Sequence, residues 1–292
     1  MKLDNKEFGF DNFSAEMAKL KNDQHFDYLV TIVGEDFGEE GLGCIYILEN
    51  TKNHERISVK QIAKKVGETD YVIPSVIKLW HDADLLEREV FDFLGIKFLG
   101  HPDMRRLFLR NDFEGYPLRK DFDMSPEHNR FPMTDEPESD WTSEWNLNQF
   151  GELVETKHRL FDTDDFVMNF GPNHPSMHGV LRLQTVVNGE TVKRIYPHLG
   201  YIHRGIEKMM ENMTYPQTLA LTDRLNYLCA MTNRHALVGV IEEAMGVELS
   251  DRIKYIRTIM DELQRIDNHL LFLGTCAQDL SALTAFLYCM RD

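Results

Sequence analysis

Residues Gly171–Arg182 read GPNHPSMHGVLR, and this stretch sets the architecture of the second half of the chain. His174 and His178 lie four apart, but Pro175 stands between them and Gly171, Pro172 and Gly179 flank them. Proline and glycine at those places predict a turning loop, not a helix face. The run VLRLQTVV then alternates apolar and polar side chains, Asn188-Gly189 closes it, and ETVKRIY answers it. Asn-Gly between alternating runs predicts a β-hairpin. Beyond it the apolar residues recur at helical spacing. The fold expected for residues 165–292 is therefore a histidine-bearing loop, a hairpin and a set of long helices, a rigid frame presenting imidazoles.

Outward from that segment, 292 residues leave room for two domains, each able to bury a core. A hydrophobic share of 42% and a charged share of 27% describe a globular chain. The net charge of −16 argues against a nucleic-acid partner, which a basic face would serve. No run of 18 apolar residues occurs, so no membrane span is expected. The start, MKLDNKEFGF, lacks a signal peptide's apolar core, which predicts a cytoplasmic chain. Cys44, Cys229, Cys276 and Cys289 form no C-x-x-C pair and read as buried thiols. The end, ALTAFLYCMRD, is an apolar helical run without a stop signal, so the chain is expected to be cut short there.

Residues 1–120 predict a small α/β domain. A helix is expected over Asn12–Leu20, burying Phe13, Met17 and Leu20. DYLVTIVGED and GCIYILEN read as paired strands, RISVKQIAKKV as strand or helix, and ETDYVIPSVIKLW as a strand broken at Pro74. HDADLLEREVFDFLGI predicts a helix with an Asp84/Glu87 capping box, an Arg88–Asp92 pair one turn apart and a stop at Gly95. Glu87, Arg88 and Glu89 read as a solvated helix face. GHPDMRRLFLRNDFEGYPLRKDF predicts turn, short helix and turn around a cationic cluster. Residues 121–164, with Pro126, Pro132 and Pro137 and many acids, predict an extended linker on which Trp141 and Trp145 act as anchors.

LEREVFDFLGIKFLGHPDMRRLF with GYPLRKDF resembles the C subunit of respiratory complex I, the proton-pumping NADH–quinone oxidoreductase. Leu85 in place of a tryptophan and Phe93-Leu94 are departures that threaten no helix. GPNHPSMHGVLRL, YIHRGIEKMMEN, LTDRLNYL and DELQRIDNHLLFLGTCAQDLSALTAF resemble the D subunit of the same complex, so the chain is similar to the fused C/D subunit of some bacteria. Met213 stands where a basic residue is usual. The resemblance implies an α+β chain: an α/β domain like the C subunit at 1–120, then a β-hairpin and helical bundle at 165–292 like the large subunit of nickel–iron hydrogenases, incomplete at its end. Those hydrogenases bind their metals through paired C-x-x-C motifs. Here RLNYLC keeps only Cys229, with Asn226 at the place of a ligand. One thiol cannot bridge a soft bimetallic centre, so no metal is expected on this chain.

The resemblance implies a quinone pocket instead. His178 and Tyr227 would approach the two ends of the quinone headgroup, and Asp279 would pair with His178 and fix its tautomer. His174 and Thr275 are assigned to the wall of that cavity. A quinone carbonyl only accepts hydrogen bonds, so reduction needs proton donors at both oxygens, which phenol and imidazole supply. Arg204 and His269 would lie near the terminal iron–sulfur cluster, which a partner resembling the B subunit must carry; cation and imidazole raise a cluster's potential. Other expected partners are the membrane-arm subunits and the quinone, and the expected place is the cytoplasmic side of the inner membrane, as a peripheral protein. The fragment alone is expected to be inactive. The alternatives are a membrane-bound hydrogenase or formate-hydrogenlyase large subunit, and a non-catalytic scaffold.

Overall fold

Phe13, Met17 and Leu20 point one way on a helix, and all three are buried in the computed structural model, which describes residues 4–125, 141–161 and 165–291. Strand β1 (Asp4–Glu7) precedes that helix, α1 (Phe13–Asn22), and β2 (Tyr28–Asp36), β3 (Leu42–Asn50) and β4 (Glu55–Ile62) come after it. They form a sheet in the order β1-β4-β3-β2. The DYLVTIVGED and GCIYILEN runs pair antiparallel, as their branched residues predict, and RISVKQIAKKV is strand throughout apart from a break at Ala63. The α1 face packs on this sheet, with the Phe13 and Tyr46 rings 5.3 Å apart. Each large apolar side chain so buried contributes about 1.5–3 kcal/mol.

A second sheet has β5 (Lys64–Val66), β6 (Asp70–Pro74) and β7 (Ile96–Leu99), the last two parallel and joined through α2 (Ala83–Leu94). Gly95 ends α2 at φ +73, and its amide bonds to Phe91, the glycine stop the sequence announces. Sequence and structure part company on the charged residues of α2. No capping box forms; Asp82 is the N-cap. Glu87, Arg88 and Asp92 are buried instead of solvated. Glu87 accepts from the Ser75 hydroxyl at 2.6 Å and the Val76 amide at 2.8 Å. Asp92 does not pair with Arg88. Its Oδ2 accepts the successive amides of Leu107, Phe108 and Leu109 at 3.1, 2.7 and 2.9 Å, and its Oδ1 takes Arg106 at 2.9 Å. Arg106 donates onward to the carbonyls of Phe113 and Gly115. The segment expected to hold a short helix is thus irregular, because a carboxylate on α2 satisfies the amides a helix would have used.

The expected linker also differs. Pro126, Pro132 and Pro137 lie outside the described residues. Residues 141–159 are not extended linker: β8 (Trp141–Leu147) and β9 (Leu153–Arg159) form an antiparallel hairpin, and β8 extends the second sheet at Leu99↔Trp145. Trp145 packs against the core with the Lys97 ammonium 3.7 Å from its ring centroid, while Trp141 stays exposed. Strands β10 (Phe166–Phe170), β11 (Arg182–Asn188) and β12 (Thr191–His198) make a third, antiparallel sheet. Its expected hairpin is present, with Asn188 opposite Thr191 and Gly189 at φ +61 in the turn.

The helices are α3 (Ile206–Met210), α4 (Tyr215–Thr222), α5 (Ala230–Met245), α6 (Asp251–Asp279) and α7 (Leu283–Cys289). The chain separates into two units, one of Met1–Asn173 with Val180–His203, the other of His174–Gly179 with Arg204–Asp292. The division falls after His203 instead of near residue 165, since the third sheet belongs with the first unit. Ser250 sits at the N-cap of α6 without a side-chain cap bond. The stripe expected to pack, Ile253, Ile256, Met260, Leu263, Ile266, Leu270 and Leu273, is exposed on that helix.

Candidate functional site: a histidine–carboxylate pair

The 174–179 loop turns through a short 3-10 segment, Pro175–Met177, and His178 comes next at φ +48. That left-handed conformation is uncommon outside glycine and marks a residue whose direction the fold dictates. His178 Nε2 lies 3.1 and 3.0 Å from the two carboxylate oxygens of Asp279, a residue 101 positions away. With an ionised carboxylate as acceptor, Nε2 carries the hydrogen. Asp279 is the last residue of α6, where the partial negative charge of the helix end disfavours a carboxylate. The imidazole N–H offsets that, and such local conflicts collect at working sites. The side chains remain 37% and 51% exposed.

Tyr227 opens a 3-10 turn, Tyr227–Cys229, between α4 and α5, not a continuous helix. Asn226 caps this turn by accepting the Leu228 amide at 3.1 Å. Asn233 donates to the carbonyls of Thr222 and Asn226, and Asn268 donates to Cys229 Sγ at 2.8 Å. The turn is thereby pinned while the phenol, 69% exposed, projects from it. Among the described residues Tyr227 forms no hydrogen bond with His178 or Asp279. Thr275 lies one turn before Asp279 on α6, its hydroxyl donating to the carbonyls of Leu271 and Phe272. His174 is exposed on the same loop as His178.

Arg204 and His269 are both exposed, the first just before Gly205 and the second on α6. Arg204 does not pair with Glu211, whose carboxylate is held by Lys208 at 2.9 Å. One pair escaped the sequence reading: His235 on α5 and Asp261 on α6 meet through Nδ1 at 2.5 Å. They line a groove of about 490 Å³ with Arg234 and Arg257. Nothing in a 26-residue separation announces that contact. Among the described residues no group of three or more His, Cys, Asp or Glu gathers as a metal site, and no helix is long and apolar enough to cross a membrane.

Residues 10–128 match the family described as the 30 Kd subunit of respiratory-chain NADH dehydrogenase, a span that covers α1, β2 to β4 and the α2 region with its buried charges. Over nearly its whole length the chain has relatives that combine this domain with the segment bearing the histidine loop. It is 53% identical over 277 residues to the C/D subunit of NADH-quinone oxidoreductase from Phocaeicola vulgatus, covering 95% of this chain and 53% of the relative. It is 52% identical over 287 residues to that of Bacteroides thetaiotaomicron, covering 95% and 54%. It is 40% identical over 289 residues to the C/D 2 subunit of Aquifex aeolicus, covering 94% and 48%. Over that length the chain is similar to fused C/D subunits, and it spans about half the length of the curated relatives it matches.

Proposed function

We propose that this chain works as a peripheral-arm component of NADH–quinone oxidoreductase and contributes one wall of the quinone-reduction site. The observation that carries the reading is the His178–Asp279 pair, held at 3.0 Å on an exposed edge of the second unit. Reduction of a quinone to a quinol takes two electrons and two protons. The electrons would come from an iron–sulfur cluster held by a partner, for which Arg204 and His269 offer an electropositive flank. His178 gives its Nε2–H to Asp279, so it would donate to the quinone from Nδ1 in the doubly protonated form, whose charge Asp279 balances, and Tyr227 presents a second donor from a pinned turn. His174 and Thr275 would line the same cavity. The second unit is read as part of a fold like the hydrogenase large subunit, with quinone chemistry in place of metal chemistry. Partners would be a cluster carrier like the B subunit and membrane-arm subunits, on the cytoplasmic side of the inner membrane.

The test is Tyr227→Phe in the intact complex. The substitution keeps the ring and removes one hydroxyl, so a hydrogen bond of about 0.5–1.5 kcal/mol is lost, and more where charge builds on the quinone oxygen. Quinone turnover should fall about tenfold or more while NADH still reduces the clusters at the normal rate. Normal turnover in this variant, or loss of cluster reduction in step with turnover, would refute the assignment.

A further inference from the structure

A chain of net charge −16 contains, in its first unit, a cavity of about 300 Å³ whose charged lining is entirely cationic among the described residues. Arg88, Arg105, Arg106, Arg110 and Arg182 border it, together with His198, and no described aspartate or glutamate does. None of these residues belongs to the quinone site proposed above. The cavity is built by the buried charges of α2: Asp92 fixes the amides of 107–109, which sets the backbone that carries Phe108 and Leu109 along its wall. Gly200, also in the lining, sits at φ +93 and abuts the Phe108 carbonyl so closely that a Cβ would sit 2.0 Å from its oxygen. Only glycine permits that approach.

Three of the guanidiniums are already held by carboxylates: Arg105 by Asp103, Arg106 by Asp92, and Arg110 by Asp112 in a two-point pair at 2.9 Å. Arg88 is buried, and its Nε and Nη2 donate to the carbonyls of Arg105 and Arg106 at 3.2 and 3.3 Å. Its nearest carboxylate is Asp103, 3.8 Å from Nη1, and that carboxylate is already held by Arg105 in a two-point pair at 2.8 and 2.6 Å. Two cations therefore share one anion. Burial lowers the pKa of Arg88, and although burial would also raise the Asp103 carboxyl, its bonds to Arg105 and the charge of Arg88 hold it well below the usual carboxylate range. An incompletely compensated buried cation gains from a further anion, and guanidinium forks match phosphate and carboxylate oxygens. The cavity is at the small end of ligand pockets, and Phe108, Leu109, Pro197 and Tyr201 add an apolar side.

We propose that this cavity binds an oxyanion, a phosphate or carboxylate group carried by a small molecule. The test uses the full chain at constant ionic strength, titrated calorimetrically with inorganic phosphate in one arm and citrate in the other, against chloride as control. Saturable one-to-one binding of either anion, with a rise in melting temperature, is the expected result, and which arm binds assigns phosphate or carboxylate as the source. Arg182→Gln and Arg110→Gln, each checked for folding by circular dichroism, should weaken binding tenfold or more, with Arg182→Lys recovering part of it. Absence of saturable binding in both arms overturns the proposal without recourse to any variant. Binding that is unchanged in the Arg110→Gln, Arg182→Gln double variant overturns it as well.

Discussion

Glu87 offers the sharpest perturbation. Its carboxyl is fully buried on α2, and burial pushes it up to about 7 despite the bonds from Ser75 and Val76 and the nearby His101. In the unfolded chain it titrates near 4.5. Between those values the native state binds the proton more tightly than the unfolded state, so stability falls as pH rises from about 4.5 to about 7. Below that window both states are protonated and the contribution is fully present; above it both are ionised and it is gone. A gap of roughly 2.5 pH units at about 1.36 kcal/mol each gives about 3 kcal/mol. Glu87→Gln should remove this pH dependence while keeping an acceptor for the Val76 amide. Urea unfolding followed by tryptophan fluorescence at pH 5, 6, 7 and 8, at concentrations that keep the chain monomeric, measures it. An unaltered difference in stability between pH 5 and 8 in the Gln variant would refute the reasoning.

Other outcomes are expected with it. Asp92→Ala strands three backbone amides, one of them buried, and the Arg106 guanidinium, and should destabilise the first unit by about 3–5 kcal/mol; a loss under about 1 kcal/mol in the same unfolding assay would contradict the burial described. In the intact complex, His178→Ala and Asp279→Asn should each slow quinone turnover, and the double variant should be little slower than the worse single, because the two residues act as a unit; full additivity would separate them. The exposed apolar stripe of α6 should make the isolated chain self-associate. A monodisperse monomer in size-exclusion chromatography that binds no apolar dye would show otherwise.

Where a residue's neighbours are close in sequence, the sequence is a sufficient guide. Phe13, Met17 and Leu20 share a helix face because of the 3.6-residue period, and β2 and β3 declare themselves by branched residues between turns. Asn188-Gly189 and Gly95 are legible because a turn and a helix stop need backbone conformations that few residues adopt. Those signals yield the mixed α+β character and the hairpin. They say nothing of Glu87, Arg88 and Asp92, which look like any exposed helix charges until Val76, the 105–109 carbonyls and amides, and Arg106 come to meet them. The partners lie 11–18 residues away in irregular chain, and no periodicity encodes that. The strands at 141–159 were hidden by acidic composition, since strand pairing there is decided by an available edge on β7. The site shows the same limit: the motifs around His178 and Asp279 point to a family, but their approach across 101 residues exists only once α6 and the 174–179 loop are folded within one unit. A side chain's chemistry is written in the sequence, whereas the group that answers it is chosen by tertiary packing.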